Sequence, residues 1–158
     1  MANYSTDAYS ASATFTPAAA SHTAGDANDT AKEFVLKDRA NAPPVAGSAL
    51  MITSASLQIS GATAEATAWR LYLFNVTPPS ALADDAAFVL AAGDLASYLG
   101  YVDLGTAVDL VDNQWVETHI INKQIKLAGT SVFGYLVNLT TLTPAAVAHI
   151  VTLHTVAL

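Results

Sequence analysis

The sequence predicts an all-β fold, a single antiparallel β-sandwich of jelly-roll type. Three observations predict it. Apolar residues recur with a period of two in short runs, clusters of Gly, Pro, Asn and Asp separate those runs, and only Asp84 to Leu99 has helical character. Eight principal strands with a long insertion between the fourth and fifth suit a jelly roll. An immunoglobulin-like sandwich is the alternative, because alternation does not reveal strand order.

The elements follow in order. Ala11, Ala13 and Phe15 alternate with Ser12, Thr14 and Thr16, which predicts a half-buried strand. Met1 to Ser10 and Pro17 to Thr30 read as extended arm and loop. A helix over 18–31 is disfavoured by Gly25 and by Asp, Asn, Ser and Thr, which compete for backbone hydrogen bonds. Phe34 to Leu36 makes a short strand that closes at the Asn41–Pro44 turn cluster. Leu50 to Ser60 is a long strand with a change of phase. Leu50 and Ile52 share one parity, and Ala55, Leu57 and Ile59 share the other, so a β-bulge is expected near Thr53-Ser54.

Trp69 to Val76 is apolar on both faces and needs cover on both, whether from another subunit or from the Asp84–Leu99 insertion with its Phe88, Val89 and Leu95. Within that insertion Asp84 or Asp85 can cap a first short helical turn and Asp94 a second, with Gly93 between. Strands are expected over Tyr101–Leu110, Gln114–Ile121, Ile125–Ala128, Ser131–Thr140 and His149–Val156. The predicted core between the sheets is Trp69, Leu71, Leu73, Phe133, Tyr135 and Val137, by shared parity within two long strands. The domain organisation is an N-terminal arm over residues 1–10 and one sandwich domain over 11–158.

Composition narrows the function. Thirteen acids stand against six scattered cations (Lys32, Lys37, Arg39, Arg70, Lys123, Lys126), for a net charge of −7. Nucleic-acid binding needs clustered cations, so no nucleic-acid partner is expected. No apolar run reaches 18 residues and MANYSTDAYS has no signal-peptide pattern, so no membrane partner is expected either. Cysteine is absent. Hydrophobic residues make up 53% and charged ones only 12%, a balance that fits either abundant Ala and Thr or a surface covered in an assembly.

The chemistry-bearing residues form no recognisable constellation. His149 and His154, five apart on a strand, point to opposite faces, and His22 lies in a polar loop. His119 shares a face with Trp115 and Glu117. The run Asp26-Ala27-Asn28-Asp29 starts like a calcium loop but has Ala31 and Lys37 where Gly and Glu are required. Trp69 and Trp115 each sit among apolar neighbours, as core aromatics do. No catalytic residue, metal site or cofactor is expected.

The stretch from Leu71 to Gly105 resembles a family of small all-β virion proteins of tailed bacteriophages, the capsid decoration (cement) proteins. There a "LxLF" strand end leads through a Pro turn into "DxAxF…xxDLxxxxGxV". The matching positions are Leu71, Leu73, Phe74, Pro78, Asp85, Ala87, Phe88, Asp94, Leu95, Gly100 and Val102, about a fifth of the chain being covered. Asp85-Ala86 stands where an Asp-Asn pair is usual. The resemblance implies a structural protein, not an enzyme, assembled in the host cytoplasm and bound to the outer surface of the capsid, with the major capsid protein as partner. A tail or head-fibre component is the nearest alternative, and a carbohydrate-binding module the alternative from another class. A homo-oligomer, preferably a trimer, fits the three-fold positions of a capsid. The candidate interface residues are Tyr4 and Tyr9 in the arm and Tyr72, Phe74 and Val76 on the doubly apolar strand.

Overall fold

The structure, a computed structural model, describes residues 8–61 and 63–158. Nine strands run through them: β1 (Ala8–Phe15), β2 (Lys32–Val35), β3 (Ala49–Ile59), β4 (Ala68–Phe74), β5 (Tyr98–Thr106), β6 (Val108–Asp109), β7 (Gln114–Lys126), β8 (Ser131–Asn138) and β9 (His149–Ala157). One sheet has the order β1-β9-β3-β7-β6, the other β2-β8-β4-β5, and every pairing is antiparallel. With the two-residue β6 set aside, the pairs nest: β1 with β9, β2 with β8, β3 with β7, β4 with β5. A ribbon folded once between β4 and β5, then wrapped so that successive pairs fall in alternate sheets, is a jelly roll. The expected fold is the observed one, and the immunoglobulin-like order is not.

The sheets close on one core. Phe15, Leu50, Ile52, Leu57, Ile59, Val151 and Leu153 from the first sheet meet Phe34, Trp69, Leu71, Leu73, Val102, Val132 and Leu136 from the second. The bulge in β3 is where the change of phase requires it. The register of β3 against both β7 and β9 shifts between Ile52 and Ser54, so Leu50, Ile52, Ala55, Leu57 and Ile59 are all buried. Opposite it, β7 throws out residues 120–122, with Ile120 and Asn122 at positive φ of 60° and 50°. The two strands expected over Gln114–Ile121 and Ile125–Ala128 are therefore one irregular strand.

The predicted core holds for β4 and is reversed for β8. Trp69, Leu71 and Leu73 point between the sheets, but Phe133, Tyr135 and Val137 lie on the outer face of the second sheet. The inward residues of β8 are Val132, Gly134 and Leu136. Gly134 stands there because a Cβ would lie 3.0 Å from Leu71 Cδ1 and the Tyr72 carbonyl oxygen, and 3.2 Å from the Phe34 ring.

That outer face carries a second core of Ala27, Phe74, Tyr135 and Val137, with Tyr72, Leu82, Phe88, Leu90 and Tyr98 packed against it. Its cover is the chain's own. Segment 80–91 lies over it, and the loop after β1 runs alongside. The Ala27 amide donates to the Ala86 carbonyl (2.8 Å), Phe88 to Gly25 (2.9 Å) and Asn28 to Leu136 (2.8 Å). Pro17 to Thr30 is thus a folded strap. The helical insertion expected over 84–99 is corrected to a single 3-10 turn, Ala92–Asp94. Asp84 caps no helix there: its carboxylate accepts the amides of Asp29 (2.5 Å) and Ala18 (2.8 Å), and Asp94 accepts that of Ser80 (3.0 Å). The domain boundary drawn at residue 10 falls inside β1, which begins at Ala8.

Candidate interaction surfaces

Of the five residues singled out from the sequence, the four described ones do not form one surface. Tyr4 lies outside the described residues. Tyr9 belongs to β1, pairs with Thr155 of β9 and packs against the main core. Phe74 is buried in the second core, and Tyr72 beside it is stacked under Phe88 with ring centroids 3.8 Å apart. The proposed contact role of Tyr72 and Phe74 is corrected on that ground, since Phe88 supplies the cover their strand needs. Val76, beyond the strand end, stays exposed beside a groove of about 350 Å³ lined by Glu33, Thr77, Thr130 and Phe133. Of the expected covering residues only Phe88 covers, because Val89 and Leu95 are 63% and 58% exposed.

Most carboxylates and imidazoles of the loops tie segments together. Asp26 accepts both the amide (2.6 Å) and hydroxyl (2.7 Å) of Thr23. Asp29 accepts the Thr16 amide (2.8 Å) and pairs with Lys32 (2.9 Å). Burial works against the Asp29 carboxylate, yet the bonds from Lys32, Thr16 and Thr30 prevail and hold it below the usual carboxylate range. Asn28 donates to Asn138 Oδ1 (2.8 Å), whose own amide nitrogen donates to the carbonyls of Thr23 and Thr140. The acidic run is thus structural stitching. Among the described residues no group of three or more His, Cys, Asp or Glu could hold a metal ion.

Two histidines are buried in ways the sequence did not reveal. His149 Nε2 lies 2.7 Å from Glu65 Oε2, with side chains 0% and 3% exposed. Its Nδ1 faces the Val147 carbonyl (3.0 Å), so both ring nitrogens have a partner. The other Glu65 oxygen accepts the Ala145 amide (2.9 Å), so the pair pins the 60–67 loop to the start of β9. His22 is enclosed between Asp84 (3.9 Å) and Asp85 (3.8 Å), with both ring nitrogens beyond hydrogen-bond length. Neither histidine faces a nucleophile.

Among the described residues, the exposed aromatics Tyr101 and Trp115 lie on opposite sheets. Tyr101 of β5 supports the Arg70 guanidinium 4.0 Å above its ring, and Arg70 also bonds Asp103 (2.6 Å). Trp115 of β7 is on the first sheet and is 41% exposed, which corrects its reading as a core residue. A groove of about 670 Å³ lies between β5 and β7 and is bordered by Tyr98, Tyr101, Asp103, Thr118, Ile121 and Lys123. The Thr118 hydroxyl there donates to the Leu104 carbonyl (2.8 Å).

The outer face of the first sheet has no covering segment among the described residues. By register, Thr14, Ile150, Gln58, Trp115 and Val108 make one row across it. Ser12, Thr152, Ser56 and Glu117 make the next, and Ser10, His154, Ser54 and His119 a third. One acid and no Lys or Arg stand in those three rows.

No protein-family model and no curated protein matches the sequence. Among solved structures the chain is similar to one of Maize Chlorotic Mottle Virus, at 11% identity and TM-score 0.28 over 94% of this chain and 92% of that one. It is similar to one of Melon necrotic spot virus at 8% and 0.28, over 92% and 53%, and to one of Triatoma Virus at 13% and 0.28, over 94% and 63%. The chain thus spans about half to two-thirds of the latter two. The jelly-roll assignment stands on the chain's own strand order.

Proposed function

We propose that the chain is a structural virion protein that binds the outer surface of a phage capsid and reinforces it. The observation that carries this reading is the bare, charge-poor face of β1, β9, β3 and β7, on a molecule of net charge −7. A sheet face with little charge costs less to lay against another protein than a charged one, since each desolvated unpaired charge would oppose contact. The resemblance of Leu71–Gly105 to decoration proteins agrees with it. The residues that carry the resemblance build the sandwich rather than a reactive site: Leu71, Leu73 and Val102 are in the main core, and Phe74 and Phe88 in the second.

Attachment to a lattice works by avidity, each copy touching several subunits through modest contacts. The trimeric state, the contact role of Val76 and the role of the first residues with Tyr4 belong to this proposal. The experiment is co-sedimentation of the purified chain with heads assembled from a phage major capsid protein. Saturable binding at a fixed copy number per head, with heads that resist heat longer, is the expected result. A chain that stays in the supernatant at micromolar concentration rules the reading out.

A further inference from the structure

Four exposed large apolar side chains fall between positions 108 and 115: Val108 (63%), Leu110 (60%), Val111 (76%) and Trp115 (41%). Val108 and Trp115 face each other across β6 and β7 and share one face. The turn between the strands is held in shape, with the Leu110 amide donating to the Asn113 carbonyl (2.7 Å) and the Val111 amide to Asp109 Oδ1 (2.8 Å). Val111 occupies this turn at φ 79°. A β-branched residue in the left-handed region is a genuine outlier, and Gly or Asn would serve the turn without strain. Folding alone does not favour an exposed valine at that position.

The charges around the group have one sign. Asp109, Asp112 and Glu117 flank it, and no Lys or Arg occurs between Arg70 and Lys123. Strained backbone that presents an apolar group in fixed shape is the arrangement of a preorganised contact. A Trp beside aliphatic neighbours within a charged rim is the composition of a binding hot spot.

We infer that the β6–β7 hairpin is a docking knob for a protein surface with an apolar depression rimmed by Lys or Arg. A second copy of this chain fits worse, since two hairpins would oppose three acids to three. The inference rests on the virion reading for the identity of that surface, which is the capsid exterior.

The test uses the full chain and undecorated heads, with Val111→Gly as the main variant and Asp112→Lys/Glu117→Lys as the second. Glycine accepts the turn's φ freely, so Val111→Gly should melt no lower than the parent while binding heads about tenfold or more weakly, equivalent to about 1.4 kcal/mol. Parent binding should weaken as salt rises, and that dependence should shrink or reverse in the charge-reversed variant. If the parent binds heads and Val111→Gly binds equally well, the inference is overturned while the virion reading stands. If the parent does not bind, the virion reading falls and takes this partner with it. If Val111→Gly instead abolishes a self-association seen by sedimentation, the knob is a copy-to-copy contact and the inference is wrong.

Discussion

Phe88 lies nearly flat on Tyr72, with ring centroids 3.8 Å apart and planes 20° from parallel. That contact makes the second sheet self-sufficient. Tyr72 and Phe74 belong to a central strand with apolar side chains on both faces, and segment 80–91 closes over them with Phe88 as its anchor. The Tyr135 hydroxyl fixes the same segment, accepting the Leu82 amide (3.0 Å) and donating to the Ser80 carbonyl (3.3 Å).

Phe88→Ala should therefore loosen the cover without dissolving the sandwich. A partly buried aromatic that stacks on one ring and meets Tyr135 edge-on should cost about 2–3 kcal/mol on truncation. Urea denaturation gives the magnitude. Binding of an apolar dye or new self-association by the folded variant would report the uncovered Tyr72 and Phe74. A loss below about 0.5 kcal/mol with no new dye binding would show that the segment is held by its backbone bonds alone.

Gly134→Ala tests the corrected face of β8. The added methyl would point between the sheets, 3.0 Å from the Tyr72 carbonyl oxygen, a backbone atom that cannot swing aside. Overpacking of this kind costs about 1–3 kcal/mol. An unchanged midpoint in denaturant would mean that Phe133, Tyr135 and Val137 face inward after all.

The assignment of β8 shows where the sequence is legible and where it is not. In β3 the two parities are each filled with large apolar residues, so the phase change and its bulge can be read directly from Leu50, Ile52, Leu57 and Ile59. In β8 both faces are buried, and the inner one contains Gly134, so Phe133, Tyr135 and Val137 look like the core-facing set because they are larger. Alternation identifies a buried face only when the other face is wet. The ties of Asp84 lie 55 and 66 residues away, and a local reading sees only a cap for a turn that does not form. Trp115 misleads in the opposite sense, since an apolar residue in a strand is read as core unless the edge position of its hairpin is known. Glu65 and His149, 84 residues apart, carry no local signal at all.

Glu65→Ala should cost about 1–3 kcal/mol, because it leaves His149 buried with one ring nitrogen facing nothing. It also strips the acceptor from the Ala145 amide. His149→Ala should cost a similar amount and add a cavity against Trp69, whose ring centroid is 5.2 Å away. The double variant should be well short of the sum, as expected of residues that act on each other directly. Additive losses in a urea double-mutant cycle would show the two side chains to be stable independently.

Asp29 gives the chain a pH dependence of known sign. Its carboxyl is held below its unfolded value by Lys32 and the amides of Thr16 and Thr30, against the opposing effect of burial. A depressed folded value means the contribution to stability is full above the unfolded pKa and is lost as pH falls through the folded one. The parent should therefore exceed Asp29→Asn in stability at neutral pH, and the gap should close as pH drops below the ordinary carboxylate range, about 3.9. The bonds at stake tie Asp29, at the end of the strap, to Thr16 at its start and to Lys32 of β2, so local opening there is the sensitive readout. Hydrogen exchange of the Thr16 and Thr30 amides, followed against pH in both proteins, measures it. A gap that stays constant down to pH 2 would show that the aspartate acts through its shape and its accepted amide bonds rather than through its charge.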